Sequence, residues 1–408
     1  MATYLIFIKK IDIIYIINKK WRMINMITLT SKQEQGIKIA KERYRAGEQY
    51  TVIAGYAGTG KSTLVKFLIS ELGIPQEDIA YACFTGKAAL VLQQKGQAAM
   101  TLHKLLYNSF KRPDGTFSHI PKDELDKDYK LIVIDEVSMC PANIWQQALK
   151  HNVHIIALGD PFQLPPIGED NGILAEPHVF LDEVMRQALE SDIIKLSMDI
   201  RAGKPLQLMD GNDVKVISKD QVVAGMYTWA DQILCGKNAT RRMINAQMRQ
   251  LLGHGEEPQV GDKVICLKNY WDTETDMNDP LINGMIGTIE DIELGKDEGV
   301  LGRKMKMTFS PDFNNSTVEL PNVDYKLIKE GNPSQQRESY LPGRRYVRKP
   351  VNKMFEFDYG YAITVHKSQG SQFNKVLLFE ERMNREMHAR WLYTAITRAV
   401  EKIVIVKQ

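Results

Sequence analysis

Cysteine is scarce: the 408 residues hold four, Cys83, Cys140, Cys235 and Cys266, far apart and without a CxxC pair. That spacing excludes a disulfide framework and argues against a zinc or iron–sulfur site. It fits a reduced, cytoplasmic compartment. Charge of one sign is also lacking. The net charge is +3, so any polyanionic partner must be held by local clusters rather than by the field of the whole chain. No apolar run reaches the ~18 residues that a membrane span needs, so no membrane association is expected. The nearest approach, residues 1–21, is broken by Lys9, Lys10 and Asp12. No small-residue cleavage site follows it, which argues against a signal peptide. The favoured reading starts translation at Met23 or Met26 and leaves residues 1–26 outside the fold. Internal repeats and low-complexity tracts are not evident.

What is present is alternation. With 44% hydrophobic and 25% charged residues the composition is that of a globular protein, and the length predicts two to four domains. From Ile27 onward YTVIAGY (50–56), DIAYACF (78–84), KLIVID (130–135) and VHIIALGD (153–160) read as buried strands. Helical spacing fills the gaps, as in STLVKFLISEL (62–72). Strands alternating with helices imply a parallel sheet covered on both faces. The pattern stops near Arg186. From Lys268 to Lys353 the chain is rich in Gly, Asn, Asp and Pro, with short alternating runs at 286–294 and 304–310, so it predicts a small inserted β domain. The α/β texture resumes in FDYGYAITVHKSQG (357–370), VLLFE (376–380) and KIVIVK (402–407).

The strongest motif is GYAGTGKST (55–63), which fits G-x-x-x-x-G-K-[ST] between a predicted strand and a predicted helix. The backbone of Gly55, Tyr56, Ala57, Gly58, Thr59 and Gly60 can wrap the phosphates of ATP, aided by the positive end of the following helix. Lys61 supplies charge for the β- and γ-phosphates, Ser62 can ligate Mg²⁺, and Thr63 completes the motif. LIVIDEVSM (131–139) ends a buried strand on Asp135 and Glu136. Asp135 would hold Mg²⁺, and Glu136 would orient and deprotonate the attacking water. In ALGDPFQLPPIGE (157–169), Gln163 can bond both a γ-phosphate and that water.

This ordered set resembles the superfamily 1 helicases, in particular the RecD-like branch that includes the Dda helicases of phages. The likeness runs from Ile27 to Gln408. LTSKQ (29–33) looks like the glutamine motif, which would set Gln33 against the adenine edge. FTGKAA (84–89) and TLH (101–103) look like the first DNA-contacting loops. LDEVMRQ (181–187) matches the segment whose arginine, here Arg186, reaches the γ-phosphate. TVHKSQGSQF (364–373) and YTAITRA (393–399) match the last two motifs, with Gln369 and Gly370 near the nucleotide and Arg398 as a second finger. Two departures stand out: no proline precedes Thr85, and the segment between TLH and the acidic strand is short. Arg186 and Arg398 flank a long insertion, so both can reach one phosphate only if two α/β lobes clamp it.

The implied fold is α/β: two RecA-like P-loop NTPase lobes, a β-hairpin insertion in the first and an SH3-like β insertion in the second. The expected division is a first lobe at 27–105 and 129–186, a hairpin at 106–128, a second lobe at 187–267 and 356–408, and a β insertion at 268–355. The implied activity is ATP-driven DNA unwinding, 5′ to 3′ by resemblance alone. A single-strand-binding protein or a replisome or recombination partner, action as a monomer, and a host cytoplasm if phage-encoded also belong to that expectation. Thr85, Lys87, Thr101, His103, Thr364, His366, Lys367 and Ser368 fall at predicted strand ends and would hold strand phosphates without a base code. His366 reads equally as a buried structural histidine. NSFKRPDGTFSH (108–119) reads as a hairpin around a P-D-G turn, either an ordinary surface turn or a pin whose Phe110 or Phe117 wedges the duplex. The basic stretch 341–353, with Arg344, Arg345, Tyr346, Arg348, Lys349 and Lys353, reads as a solvated loop or a strand contact. No acidic or histidine cluster suggests a nuclease.

Overall fold

Short runs of β-branched and small apolar residues form the parallel strands, because both faces of each are covered by helices. A computed structural model of the chain describes residues 29–111, 117–166, 168–185, 188–275, 280–297, 303–312, 316–331 and 354–408. Arg186 and the basic stretch 341–353 therefore lie outside the described residues, as does the turn of the hairpin.

The first sheet is built from β1 (Tyr50–Gly55), β2 (Ile79–Cys83), β3 (Ala99–Thr101), β6 (Leu131–Asp135), β7 (Ile155–Gly159) and β8 (Val179–Leu181), all parallel, in the order β3-β2-β6-β7-β1-β8. Between β3 and β6, β4 (Tyr107–Lys111) and β5 (Phe117–Pro121) form an antiparallel hairpin, with Tyr107 opposite Pro121 and Lys111 opposite Phe117.

The second sheet repeats the layout with β9 (Met209–Asp210), β10 (Val214–Ile217), β11 (Gln232–Cys235), β19 (Ala362–Thr364), β20 (Phe373–Phe379) and β21 (Ala399–Val406), in the order β19-β11-β20-β21-β10-β9. Only β9 runs antiparallel. Position by position β3 corresponds to β19, β2 to β11, and the P-loop strand β1 to β10.

A third, antiparallel sheet joins β12 (Lys263–Cys266), β15 (Ile286–Asp297), β16 (Arg303–Pro311), β17 (Val318–Asp324) and β18 (Phe357–Tyr359). It takes in β12 and β18, a few residues beyond the expected 268–355 on each side. The reason is alternation along β12. Val264 and Cys266 join the buried cluster of Met305, Phe309 and Phe357, whereas Ile265 joins that of Val365 and Trp391 in the second lobe. One short strand thus belongs to two cores. Gly287 makes the β15–β16 crossing possible: a Cβ there would lie 2.1 Å from the Ser310 carbonyl oxygen. Among the described residues no helix is long and apolar enough to cross a membrane.

Candidate nucleotide site between the lobes

The C-terminal ends of β1, β6 and β7 converge, as parallel-sheet topology demands of a ligand crevice. After β1 the chain turns through Gly58 and Gly60, at φ 77° and 81°, into helix Lys61–Leu72. Gly60 is needed twice over, because a Cβ there would also lie 2.5 Å from Gln33 Nε2. Lys61 Nζ donates to the Gly55 and Tyr56 carbonyls at 2.7 and 3.1 Å, inside the loop. Thr59 Oγ1 donates to the Tyr56 carbonyl, while Ser62 is exposed.

At the end of β6 Asp135 accepts the Glu136 N–H at 2.9 Å, and Glu136 itself holds a left-handed φ of 53°. Burial and the neighbouring Glu136 raise the Asp135 carboxyl to about 6, opposed in part by Lys61. A third carboxylate, Asp160 after β7, lies close enough to feel both Lys61 and Glu136, and burial raises it too. This aspartate lies within ALGDPFQLPPIGE (157–169), where nothing local marks a role for it. Gln163 is buried, and its Oε1 has no hydrogen-bond partner among the described residues.

The turn 160–164 is held by the second lobe. Arg390 Nη2 donates to the Pro161 carbonyl (2.6 Å), Tyr393 OH to Asp160 (2.6 Å), and Gln369 Nε2 to the Leu164 carbonyl (3.0 Å). The Leu164 N–H donates to Thr394 Oγ1 at 3.0 Å. The Ala57 N–H of the P-loop donates to the Tyr393 hydroxyl at 2.9 Å. Arg201, the last residue of helix Asp192–Arg201, stacks its guanidinium 3.5 Å from the Tyr56 ring centroid. Arg201, Arg390, Tyr393 and Thr394 carried no signal beyond the motif that held two of them.

Several expected residues are placed otherwise. Gln33 completes the capping box of helix Ser31–Arg45 by accepting the Thr30 N–H, and donates Nε2 to the Thr59 carbonyl. Both ends of its amide are thus engaged within the first lobe. Gln369 bonds the Leu164 backbone, and Gly370 packs against Thr85 and Ala88, where a Cβ would lie 3.1 and 3.0 Å away. Arg398 is buried and donates to the Thr394 and Ser371 carbonyls and to Thr397 Oγ1, all in its own lobe.

The expected strand contacts divide. Thr85, Thr101 and Thr364 are helix N-caps whose hydroxyls accept the N–H of Ala88, Lys104 and Lys367. Thr101 is paired with Cys83 and Thr364 with Cys235, at matching places in the two sheets. Lys367 is exposed and His366 half-buried, with burial lowering the histidine. His103 stacks on Tyr107 at 5.7 Å, and burial and His119 lower its pKa. Ser368 is fully buried, and its hydroxyl donates to the Val365 carbonyl. Lys87 lies at the junction of the lobes, 5.0 Å from the Phe373 ring centroid, and burial followed by Lys263 lowers it to about 8. Phe110 is exposed on the hairpin; the side chain of Phe117 lies outside the described residues.

Comparison with known proteins agrees with this geometry. Residues 28–219 match the family described as AAA domain, and residues 359–406 the UvrD-like helicase C-terminal domain. The ATP-dependent RecD2 DNA helicase of Deinococcus radiodurans is 28% identical over 391 residues, 88% of this chain and 47% of that protein. The chain thus spans about half the length of that relative. The RecD subunit of the RecBCD enzyme of Mycolicibacterium smegmatis is 25% identical over 87% of this chain and 68% of its own. In fold the chain is similar to a Bacteroides Pif1 helicase solved with ADP-AlF3 and single-stranded DNA, at TM-score 0.53, 20% identity and coverage of 93% and 92%. In its motifs and matched domains the chain is thus similar to the RecD-like helicases of superfamily 1, and in its two-sheet architecture to a solved helicase fold.

Proposed function

We propose that the chain is a motor that hydrolyses ATP between its two lobes, moves 5′ to 3′ on single-stranded DNA and unwinds duplex ahead of it. The observation that carries this reading is the stitched cleft: the P-loop and the Gln163 turn of one lobe are hydrogen-bonded to a helix of the other. Hydrolysis there must be felt by both lobes. The RecD2 relative is named an ATP-dependent DNA helicase, and the Pif1 structure holds nucleotide and single-stranded DNA together.

In this reading Lys61 leaves the loop carbonyls to meet the phosphates. Ser62 and Asp135 would hold Mg²⁺; they offer the oxygen donors a hard cation prefers, and Lys61 compensates the buried Asp135 only in part. Bound there, the cation neutralises phosphate charge. Among the described residues no group of three or more side chains could hold a metal alone, so the nucleotide would supply further ligands. Glu136 takes the proton of the attacking water, and the unpartnered Gln163 Oε1 orients it. Arg186 and Arg398 act as fingers, Arg398 by exchanging its carbonyl partners for the γ-phosphate on closure. Thr85, Lys87, Thr101, His103, Thr364, His366 and Lys367 line the strand path, and the hairpin serves as pin. The division into lobes and insertions is kept, with the β insertion widened to take in β12 and β18, tailed duplex DNA as substrate and the cytoplasm as the place of action.

Lys61→Ala tests the reading. DNA-stimulated ATP hydrolysis should vanish, since the loop loses its cationic phosphate contact. Turnover near that of the parent would sink the assignment.

A further inference from the structure

We propose that Tyr393 is a positioning residue for hydrolysis, its hydroxyl being the latch by which the second lobe sets the P-loop and the Gln163 turn together. Tyr393 lies on helix Arg385–Ile396, and Arg390 and Thr394 share its neighbourhood at one-turn spacing, so a single helix face addresses the turn 160–164. Thr394 is bonded at both ends, its hydroxyl to Leu164 and its carbonyl to Arg398. The hydroxyl of Tyr393 is used twice. It accepts the Ala57 N–H at 2.9 Å and donates to Asp160 Oδ2 at 2.6 Å. Asp160 in turn uses both oxygens, since Oδ1 accepts the Phe162 N–H at 2.9 Å and closes the turn that presents Gln163. Burial and the adjacent Asp160 push the phenol well above its ordinary range, so it remains the proton donor.

The junction is sealed. Tyr393 and Asp160 are each 1% exposed, and the Phe162 ring meets the Tyr393 ring edge-on at 5.2 Å. Water cannot replace the hydroxyl, so its removal leaves a buried carboxylate oxygen without a donor. Two parts of the first lobe that bracket the proposed γ-phosphate position therefore depend on one oxygen atom of the second. When the lobes separate, both lose their support at once. Tyr393 need not touch nucleotide to control the reaction.

The test is Tyr393→Phe in the full chain, with single-stranded DNA-stimulated ATP hydrolysis and binding of a mant-labelled ADP measured side by side. The expected kcat falls about 10- to 100-fold, the effect of one charge-assisted hydrogen bond lost at the transition state. KM for ATP and mant-ADP affinity should stay within about threefold, because the P-loop contacts themselves survive. A residue that only packed would lower the melting temperature and leave kcat per folded molecule intact, and that result would overturn the latch. So would a KM that rises as far as kcat falls. If Tyr393→Phe does not fold, Asp160→Asn gives the same reading. Asparagine keeps one oxygen for the Phe162 N–H and turns an amide N–H toward Tyr393, so the phenolic proton loses its charged acceptor and the same split between kcat and KM is expected. The inference rests on the ATPase reading above: a parent chain without DNA-stimulated hydrolysis overturns both. An active parent beside an unaffected Tyr393→Phe overturns the latch alone.

Discussion

Glu136 sits at the end of a buried strand with a left-handed φ of 53°, a conformation that costs a β-rich chain about 1–3 kcal/mol. Such strain persists where surrounding structure imposes it, and here the Asp135 carboxylate accepts the Glu136 N–H and Cys140 closes a tight turn onto Val137. In the proposed reading nucleotide binding depends on the P-loop, whereas Glu136 serves only the water. Glu136→Gln should therefore keep nucleotide affinity and lower turnover by about 10²- to 10⁴-fold, the usual worth of a general base. Equilibrium binding and steady-state hydrolysis check this; a collapse of affinity would make Glu136 structural. At this scale the sequence was legible where chemistry is contiguous. GYAGTGKST and the Asp135–Glu136 pair each specify their turn locally. Contacts such as Tyr393 to Asp160, 233 residues apart, were not legible, because no local pattern encodes a cross-lobe bond. Arg398 shows the same limit: its motif was visible, but its carbonyl partners were not.

Among the elements, the hairpin β4–β5 was legible from its turn residues, and its register puts Phe110 opposite Ser118. Phe110 is 55% exposed, so its ring is open to a partner. If it props the last base pair, Phe110→Ala removes stacking worth ~1–3 kcal/mol and leaves the nucleotide cleft alone. Unwinding of a 5′-tailed duplex should then fall at least about fivefold, while ATPase on single strands stays within about twofold. Equal losses in both assays would place the hairpin in the strand path instead, and no loss in either would make it an ordinary surface turn. One repeat escaped the sequence reading. TLHK (101–104) and TVHK (364–367) end β3 and β19, which hold the same edge position in the two sheets. Four residues are too few to stand out until topology aligns them. The β insertion was visible in its texture. Its borders were not, because β12 contributes to two cores at once.

For the whole molecule, two sheets of matched strand order face one site, yet only the first carries a P-loop and an acid pair. The second lobe contributes reach: Arg390, Tyr393, Thr394 and Gln369 hold the turn that bears Gln163. In the proposed reading a cleft so built would convert opening and closing into a catalytic difference, and the helix-capping threonines at equivalent strand ends would give each lobe a grip. Directional motion along one strand is the central claim. The direct measurement is ATP-dependent strand displacement on two otherwise identical duplexes, one with a 5′ and one with a 3′ single-stranded tail. The account predicts that the 5′-tailed duplex is unwound and the 3′-tailed one is not. Unwinding of the 3′-tailed duplex alone, or of neither while ATP is hydrolysed on single-stranded DNA, would contradict it.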